Sequence, residues 1–306
     1  MKAVVTGANG FVGAAVCKQL QQAGYEVLAV VRSENSDTSR LSSCSTLRYI
    51  FCDMNNYVSL PEKIPDRDIS IFFHFAWDGV AGTSRFDDTQ QLKNVQYSCD
   101  AIRACKKMDC NRFVFSASIM EYEVQNMMKQ EIPLPGSTIY STAKLTADYM
   151  LRAIGNSVGV SFIRGLISNI YGPGETNERL IITSIQKMIR GEYCTFSSGA
   201  QMYDFIYIDD AAKAFVAIGE KGINNRTYYI GSLNPRPLKD YLLQMRDCVA
   251  PDSEIGLGAL PDPCISLTYQ EFDIGAVKKD TGFEPQVNFR DGIKRTVEWV
   301  RHLNSN

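Results

Sequence analysis

Three glycines, Gly7, Gly10 and Gly13 in the run T-G-A-N-G-F-V-G, restrict what this chain can fold into more than any other feature. Ahead of them Lys2 to Thr6 is a short β-branched run, K-A-V-V-T, and behind them Val12 to Gln22 reads as a helix. A strand that stops and feeds a helix within a few residues needs a turn without side chains. It also needs close packing of helix on strand, and it leaves the helix N–H groups open to an anion. The spacing G-x-x-G-x-x-G between a strand and a helix therefore predicts a dinucleotide-binding βαβ unit, with a pyrophosphate over the turn.

Strand and helix signals keep alternating after that start. Glu26 to Val31, Leu47 to Cys52, Ile69 to Ala76 and Arg112 to Ser116 read as strands, and Phe86 to Met108 as a long helix. The strands are apolar enough to be buried on both faces, which predicts an α/β fold, a Rossmann-type doubly wound parallel sheet covered by helices. Ligands in such sheets sit beyond the carboxyl ends of the strands. Gly7, Asp53 with Met54, Ala76, the Trp77 to Arg85 loop and Ser118 all fall there, and Asp53 is placed to reach an adenine amino group.

From about Ser168 the pattern becomes less regular, with helices at Leu180 to Arg190, Ala211 to Glu220, Leu238 to Val249 and Phe289 to Leu303. Thr227 to Ile230 is a short strand that returns to the sheet, so a smaller, C-terminal substrate lobe interleaves with the dinucleotide-binding domain. The division expected is 1–167 plus about 204–232 for the first domain, and 168–203 with 233–306 for the second. Glu121 to Pro135, carrying Met127 and Met128, reads as a long loop, either a lid or a surface excursion.

The end of the second strand bears on the cofactor. An acid there would accept a hydrogen bond from the adenosine ribose and repel a 2′-phosphate, whereas a cation would accommodate the phosphate. The sequence reads Val31, Arg32, Ser33, so NADP(H) is the expected cofactor, with Arg32 and Ser33 at the phosphate and NAD(H) as the alternative.

Composition excludes other roles. Thirty-two basic against 34 acidic residues, with no basic run, argue against nucleic acid as a partner. The longest apolar run, Ile71 to Trp77, is too short to span a membrane, and no signal peptide precedes the first strand, so a cytoplasmic location is expected. Nine cysteines form no C-x-x-C pair and read as reduced thiols; two histidines, His74 and His302, leave no metal cluster and no imidazole base.

That absence directs attention to Tyr140 and Lys144 in S-T-I-Y-S-T-A-K. Residues four apart share a helix face, so phenol and ammonium can point into one pocket. A nearby cation favours phenolate, which makes the pair a candidate general acid/base.

Taken together, G-A-N-G-F-V-G, F-S-A-S, Y-S-T-A-K, S-N-I-Y-G-P-G at 168–174 and D-F-I-Y-I-D-D at 204–210 resemble the extended short-chain dehydrogenase/reductase family. The similarity is to its nucleotide-sugar epimerases, dehydratases and ketoreductases, and it runs to the D-G-I-K-R-T-V-E-W segment. The resemblance implies that Ser118, Tyr140 and Lys144 are catalytic. Tyr140 would exchange a proton with the substrate oxygen, Ser118 would hydrogen-bond that oxygen, and Lys144 would hold the nicotinamide ribose. It implies further that Gly7, Gly10, Phe11, Val12 and Gly13 cradle the pyrophosphate, that Asn94 lies near the active site, and that Asn169 binds the diphosphate of a nucleotide sugar. A homodimer through a four-helix bundle, built from Phe86 to Met108 and Tyr140 to Ile154, is also implied.

Two departures from the family pattern matter. Dehydratases carry an Asp-Glu pair directly after the hydroxyl residue, and here those positions are Ile119 and Met120, which cannot transfer a proton; Glu121 is one residue out of register. The arginine usual before D-F-I-Y is Tyr203, leaving Arg85, Arg179 and Arg236, together with Trp77, as candidate substrate contacts. The expectation is a reductase of a 4-keto-sugar nucleotide, with a 4-epimerase as the alternative and a non-catalytic NAD(P)-binding sensor as the third reading.

Overall fold

The computed structural model describes residues 1–42, 44–262 and 267–303. Its chain divides into two compact units, the first comprising Met1–Ile167, Ala212–Ile230 and Gly275–Glu284. That unit is built on a seven-stranded sheet. The strands are β1 (Lys2–Thr6), β2 (Glu26–Val31), β3 (Leu47–Phe51), β4 (Ile69–His74), β5 (Arg112–Ser118), β6 (Ser161–Ile167) and β11 (Thr227–Ile230), in the order β11-β6-β5-β4-β1-β2-β3. Every ladder is parallel. The order reverses at β1, between β2 and β4, and the crevice at that switch point is where a doubly wound sheet receives its ligand.

The sheet is buried on both faces, which is why its strands read as continuous apolar runs. Phe72, Phe73, Phe113, Phe115 and Phe162 are fully buried, and the Phe72 and Phe113 rings stack at 5.2 Å. His74 belongs to this core. Its Nδ1 lies 2.7 Å from Thr6 Oγ1 and its Nε2 3.0 Å from Ser98 Oγ, and burial lowers its pKa to about 3, so it is a neutral bridge between strands and helix.

The helices of this unit are α1 (Phe11–Gln22), α2 (Leu60–Lys63), α3 (Asp88–Lys107), α4 (Glu121–Lys129), α5 (Ile139–Val158) and α9 (Ala276–Thr281). The segment read as a long loop from Glu121 is in fact α4. E-Y-E-V-Q-N-M-M-K is rich in the helix formers Glu, Gln, Met and Lys, with acids in its first turn and a lysine in its last, which suit the helix dipole. Strand β6, S-F-I-R-G-L-I, was not anticipated, because Arg164 interrupts its apolar run while lying buried. β4 ends at His74, leaving Ala76 beyond the strand, and the Trp77 loop closes in a 3-10 turn, Gly82–Phe86.

The second unit comprises Ser168–Ala211, Gly231–Ile274 and Pro285–Asn306. Thus 204–211 belongs to this unit and Gly275–Glu284 to the first. The helix α7 (Ile208–Lys221) carries the chain from one unit to the other. Three two-stranded ladders organise it: β7 (Asn169–Tyr171) with β10 (Phe205–Tyr207), β9 (Met202–Tyr203) with β12 (Arg236–Pro237), and β8 (Cys194–Thr195) with β13 (Ile255–Gly256). They pack with α6 (Leu180–Ile189), α8 (Leu238–Val249) and α10 (Phe289–Leu303) around an aromatic cluster, where Tyr241 meets Phe289 at 4.7 Å and Phe205 at 4.9 Å. The described cysteines are free thiols; Cys264 lies outside the described residues. No described helix is long and apolar enough to cross a membrane.

Candidate active site

The glycine turn comes first because its backbone leaves no room for side chains. Gly7 has φ +66°, and a Cβ there would lie 2.7 Å from the Ala76 backbone nitrogen; a Cβ on Gly13 would lie 2.1 Å from Gly7 O. Gly10 precedes α1 without a side-chain cap, Phe11 and Val12 open the helix, and its first turn holds no acid. Unsatisfied N–H groups and a positive helix end, free of carboxylates, suit a pyrophosphate.

At the end of β2, Arg32 is flanked by two carboxylates. Its Nη2 lies 2.5 Å from Asp78 Oδ1 and its Nε 3.5 Å from Asp53 Oδ2. Asp53 Oδ1 also accepts from Asn55 N, capping the turn that begins at the buried Met54. The Ser33 N–H donates to Ser36 Oγ at 3.1 Å. The local balance is one positive against two negative charges.

Tyr140 and Lys144 on α5 meet Trp77 beyond the carboxyl end of β4, and Ser118 ends the neighbouring strand β5. Lys144 is buried, and its Nζ donates to Ser116 O at 3.0 Å. The same ammonium lies 3.8 Å above the Trp77 ring and 5.0 Å from that of Phe115. Burial lowers its pKa to about 7, against the opposing charge of Glu121. Tyr140 is almost buried; Trp77 meets it edge-on at 6.2 Å and the Arg85 guanidinium stands 4.7 Å above its ring.

A polar scaffold holds these groups. Trp77 Nε1 donates to Gln91 Oε1 at 2.7 Å, and Gln91 Nε2 donates to Gly79 O at 3.0 Å. Asn94, which the resemblance implies lies near the active site, is buried: it accepts from Asp78 N at 3.1 Å and donates to Asp78 O at 2.8 Å. Its Nδ2 also donates to Gln91 Oε1 at 3.3 Å, so its amide is spent on the Trp77 loop and the glutamine that supports it.

Ser118 is pinned from behind by Glu121. The Ser118 N–H donates to Glu121 Oε1 at 2.7 Å, and Arg164 Nη2 donates to Glu121 Oε2 at 2.6 Å. Arg164 Nε lies 3.5 Å from Asp148 Oδ2, and Arg152 Nε donates to Asp148 Oδ1 at 3.0 Å. Glu121, Arg164 and Asp148 are all buried. This chain of charges was not read from sequence, because only Asp148 and Arg152, four apart on α5, are close along the chain. Ile119 is buried, and Met120 Sδ accepts from Arg85 Nη2 at 2.8 Å.

The remaining candidates lie in the second unit. Tyr203 on β9 and Arg236 on β12 face each other across the ladder, so a cation missing at one position stands on the neighbouring strand. The Arg236 guanidinium lies 3.9 Å above the Tyr241 ring and is hydrogen-bonded to Gln244. Arg179 is paired with Glu175 at 3.3 Å, and Asn169 Nδ2 donates to Asp204 O at 3.3 Å.

A family model described as the NAD dependent epimerase/dehydratase family matches residues 3–231. A dTDP-glucose 4,6-dehydratase of Escherichia coli is 30% identical over 175 residues, 53% of this chain and 48% of that protein, so the chain spans about half the length of that relative. A CDP-abequose synthase of Salmonella typhimurium is 23% identical over 302 residues, covering 96% of this chain and 97% of the other. Among solved structures, a UDP-glucose 4-epimerase with UDP-glucose from Thermotoga maritima aligns with a TM-score of 0.79 at 22% identity, covering 99% of this chain and 100% of that one. That likeness establishes the shared fold.

Proposed function

Because the chain belongs to the NAD dependent epimerase/dehydratase family, we propose that it is an NADP(H)-dependent oxidoreductase that reduces a 4-keto-sugar nucleotide, with Tyr140 as the acid. What supports this reading is Tyr140 and Lys144 against Trp77, whose loop starts beside the glycine turn, with Ser118 ending β5 and Ile119 and Met120 standing after it where dehydration needs an acid and a base. Glu121, the carboxylate nearest in sequence, is buried and committed to Ser118 N and Arg164. That commitment speaks against a dehydratase.

The glycine turn and the N-terminus of α1 would hold the pyrophosphate, and Lys144 the nicotinamide ribose. When bound, the nicotinamide supplies the hydride. Tyr140 gives its phenolic proton to the oxygen that gains charge, and Ser118 Oγ hydrogen-bonds the same oxygen. Glu121 holds the Ser118 backbone, and thereby its hydroxyl, in place. Lys144, with a pKa of about 7, is poised to change charge near neutral pH. In the second unit, Arg236 is the cation proposed to meet a diphosphate.

Arg32 supports NADP(H), since it is the guanidinium at the end of β2. Its carboxylate partners Asp53 and Asp78 work against a 2′-phosphate, so discrimination from NAD(H) is expected to be small. This same pairing favours a second reading, a 4-epimerase that takes hydride from a nucleotide sugar onto an unphosphorylated cofactor and returns it to the other face. The apolar residues Leu92 on α3, and Tyr149 and Met150 on α5, are exposed and are proposed to meet a second copy in a helix bundle.

Replacing Tyr140 with Phe removes the acid while keeping the ring. Turnover should fall by at least about a hundredfold, while cofactor affinity measured by fluorescence titration stays within twofold or so of wild type. Retained turnover would remove Tyr140 from the mechanism.

A further inference from the structure

Arg85 is a guanidinium placed against the catalytic ring with its hydrogen-bonding capacity largely unspent. It lies in the 3-10 turn Gly82–Phe86, 4.7 Å above Tyr140. Its Nε is buried and meets no hydrogen-bond acceptor among the described residues. Its Nη2 is directed at Met120 Sδ, and a thioether is a weak acceptor. Glu123 on α4 is close enough for its carboxyl, raised by burial, to be drawn down again by the Arg85 charge. A buried donor without an acceptor is costly, and a planar guanidinium fork matches a carboxylate with two parallel bonds.

We propose that Arg85 is a specificity-determining residue that receives a carboxylate carried on the sugar ring, so that the sugar nucleotide is a hexuronate or a related acidic sugar, bound as its 4-keto form or as the 4-hydroxy product. This rests on the nucleotide-sugar reading above. A sugar's diphosphate hangs from C1, across the ring from the C4 oxygen that Tyr140 serves. A cation against the Tyr140 ring is therefore on the C4 side, where the carboxylate of a hexuronate, attached at C5, is the neighbour. Met120 adds to the argument: the position that bears an acid in dehydratases is apolar here, and Glu123, the acid beside Arg85, is pushed by burial towards its neutral form.

The test is titration calorimetry of the NADP⁺-loaded protein with UDP- and GDP-hexoses and the corresponding hexuronates, using wild type, Arg85→Gln and Arg85→Lys. The expected result is hexuronate binding about ten- to a hundredfold tighter than the matching hexose, with the advantage lost in Arg85→Gln and partly kept in Arg85→Lys. NADP⁺ affinity, unchanged across the variants, reports an intact fold. Equal binding of hexose and hexuronate by wild type, or an advantage that survives Arg85→Gln, overturns the carboxylate role while leaving the nucleotide-sugar reading standing. If NADP⁺ binds but none of the sugar nucleotides does, both readings fall.

Discussion

Lys144 sets chemistry against stability, because an ammonium useful to a phenol and a ribose is held in a pocket of Trp77 and Phe115 with one carbonyl partner. Burial lowers its pKa from 10.5 to about 7. Below about pH 7 the lysine is charged in folded and unfolded chains alike, and the desolvation cost is fully present. As pH rises from 7 towards 10.5, the folded state releases its proton first and stability increases. Lys144→Met should therefore abolish turnover and yet raise the melting temperature by at least about 3 °C at pH 6, with a smaller gain at pH 10. Calorimetric scans of both proteins check this; a variant less stable than wild type at pH 6 would show that the contacts of Nζ outweigh its desolvation. At this scale the sequence was legible where partners are local. Tyr140 and Lys144 share a helix face, and Gly7 and Gly13 share a turn. Arg85 over Tyr140 was not legible, because its neighbours come from separate elements and Met120 is 35 residues away in sequence.

Among the elements, α4 does the most to define the catalytic surroundings. Its first residue, Glu121, ties the end of β5 to β6 through the Ser118 N–H and Arg164. Glu121→Gln removes the nearer of the two carboxylates that meet the buried Arg164 guanidinium, leaving Asp148, and should cost about 3 kcal/mol in urea unfolding. The double variant Glu121→Leu, Arg164→Met should recover much of that stability but not the turnover, since Ser118 loses its anchor. Unfolding midpoints of the three proteins decide the matter, and an unchanged midpoint for Glu121→Gln would mean that the ion pair adds nothing. The helix itself escaped the sequence reading because nine residues flanked by Ile119-Met120 and a Pro-containing stretch resemble a loop. β6 escaped because its buried arginine looks like a surface residue until Glu121 and Asp148 are seen beside it.

For the molecule as a whole, the parallel sheet was readable because its strands are nearly continuous apolar runs that alternate with helices, and that pattern admits few topologies. The second unit was not, since its strands are two or three residues long and take their order from aromatic packing between distant segments. The ladder that sets Tyr203 opposite Arg236 is such a case. The central claim is net reduction of a 4-keto sugar nucleotide. Its most direct measurement follows the nicotinamide absorbance band while the protein is incubated with NADPH and a 4-keto sugar nucleotide. Loss of the reduced band in step with disappearance of the ketone is the predicted result. A flat trace, with the same protein converting a UDP- or GDP-hexose to its 4-epimer without net change in cofactor, would contradict it.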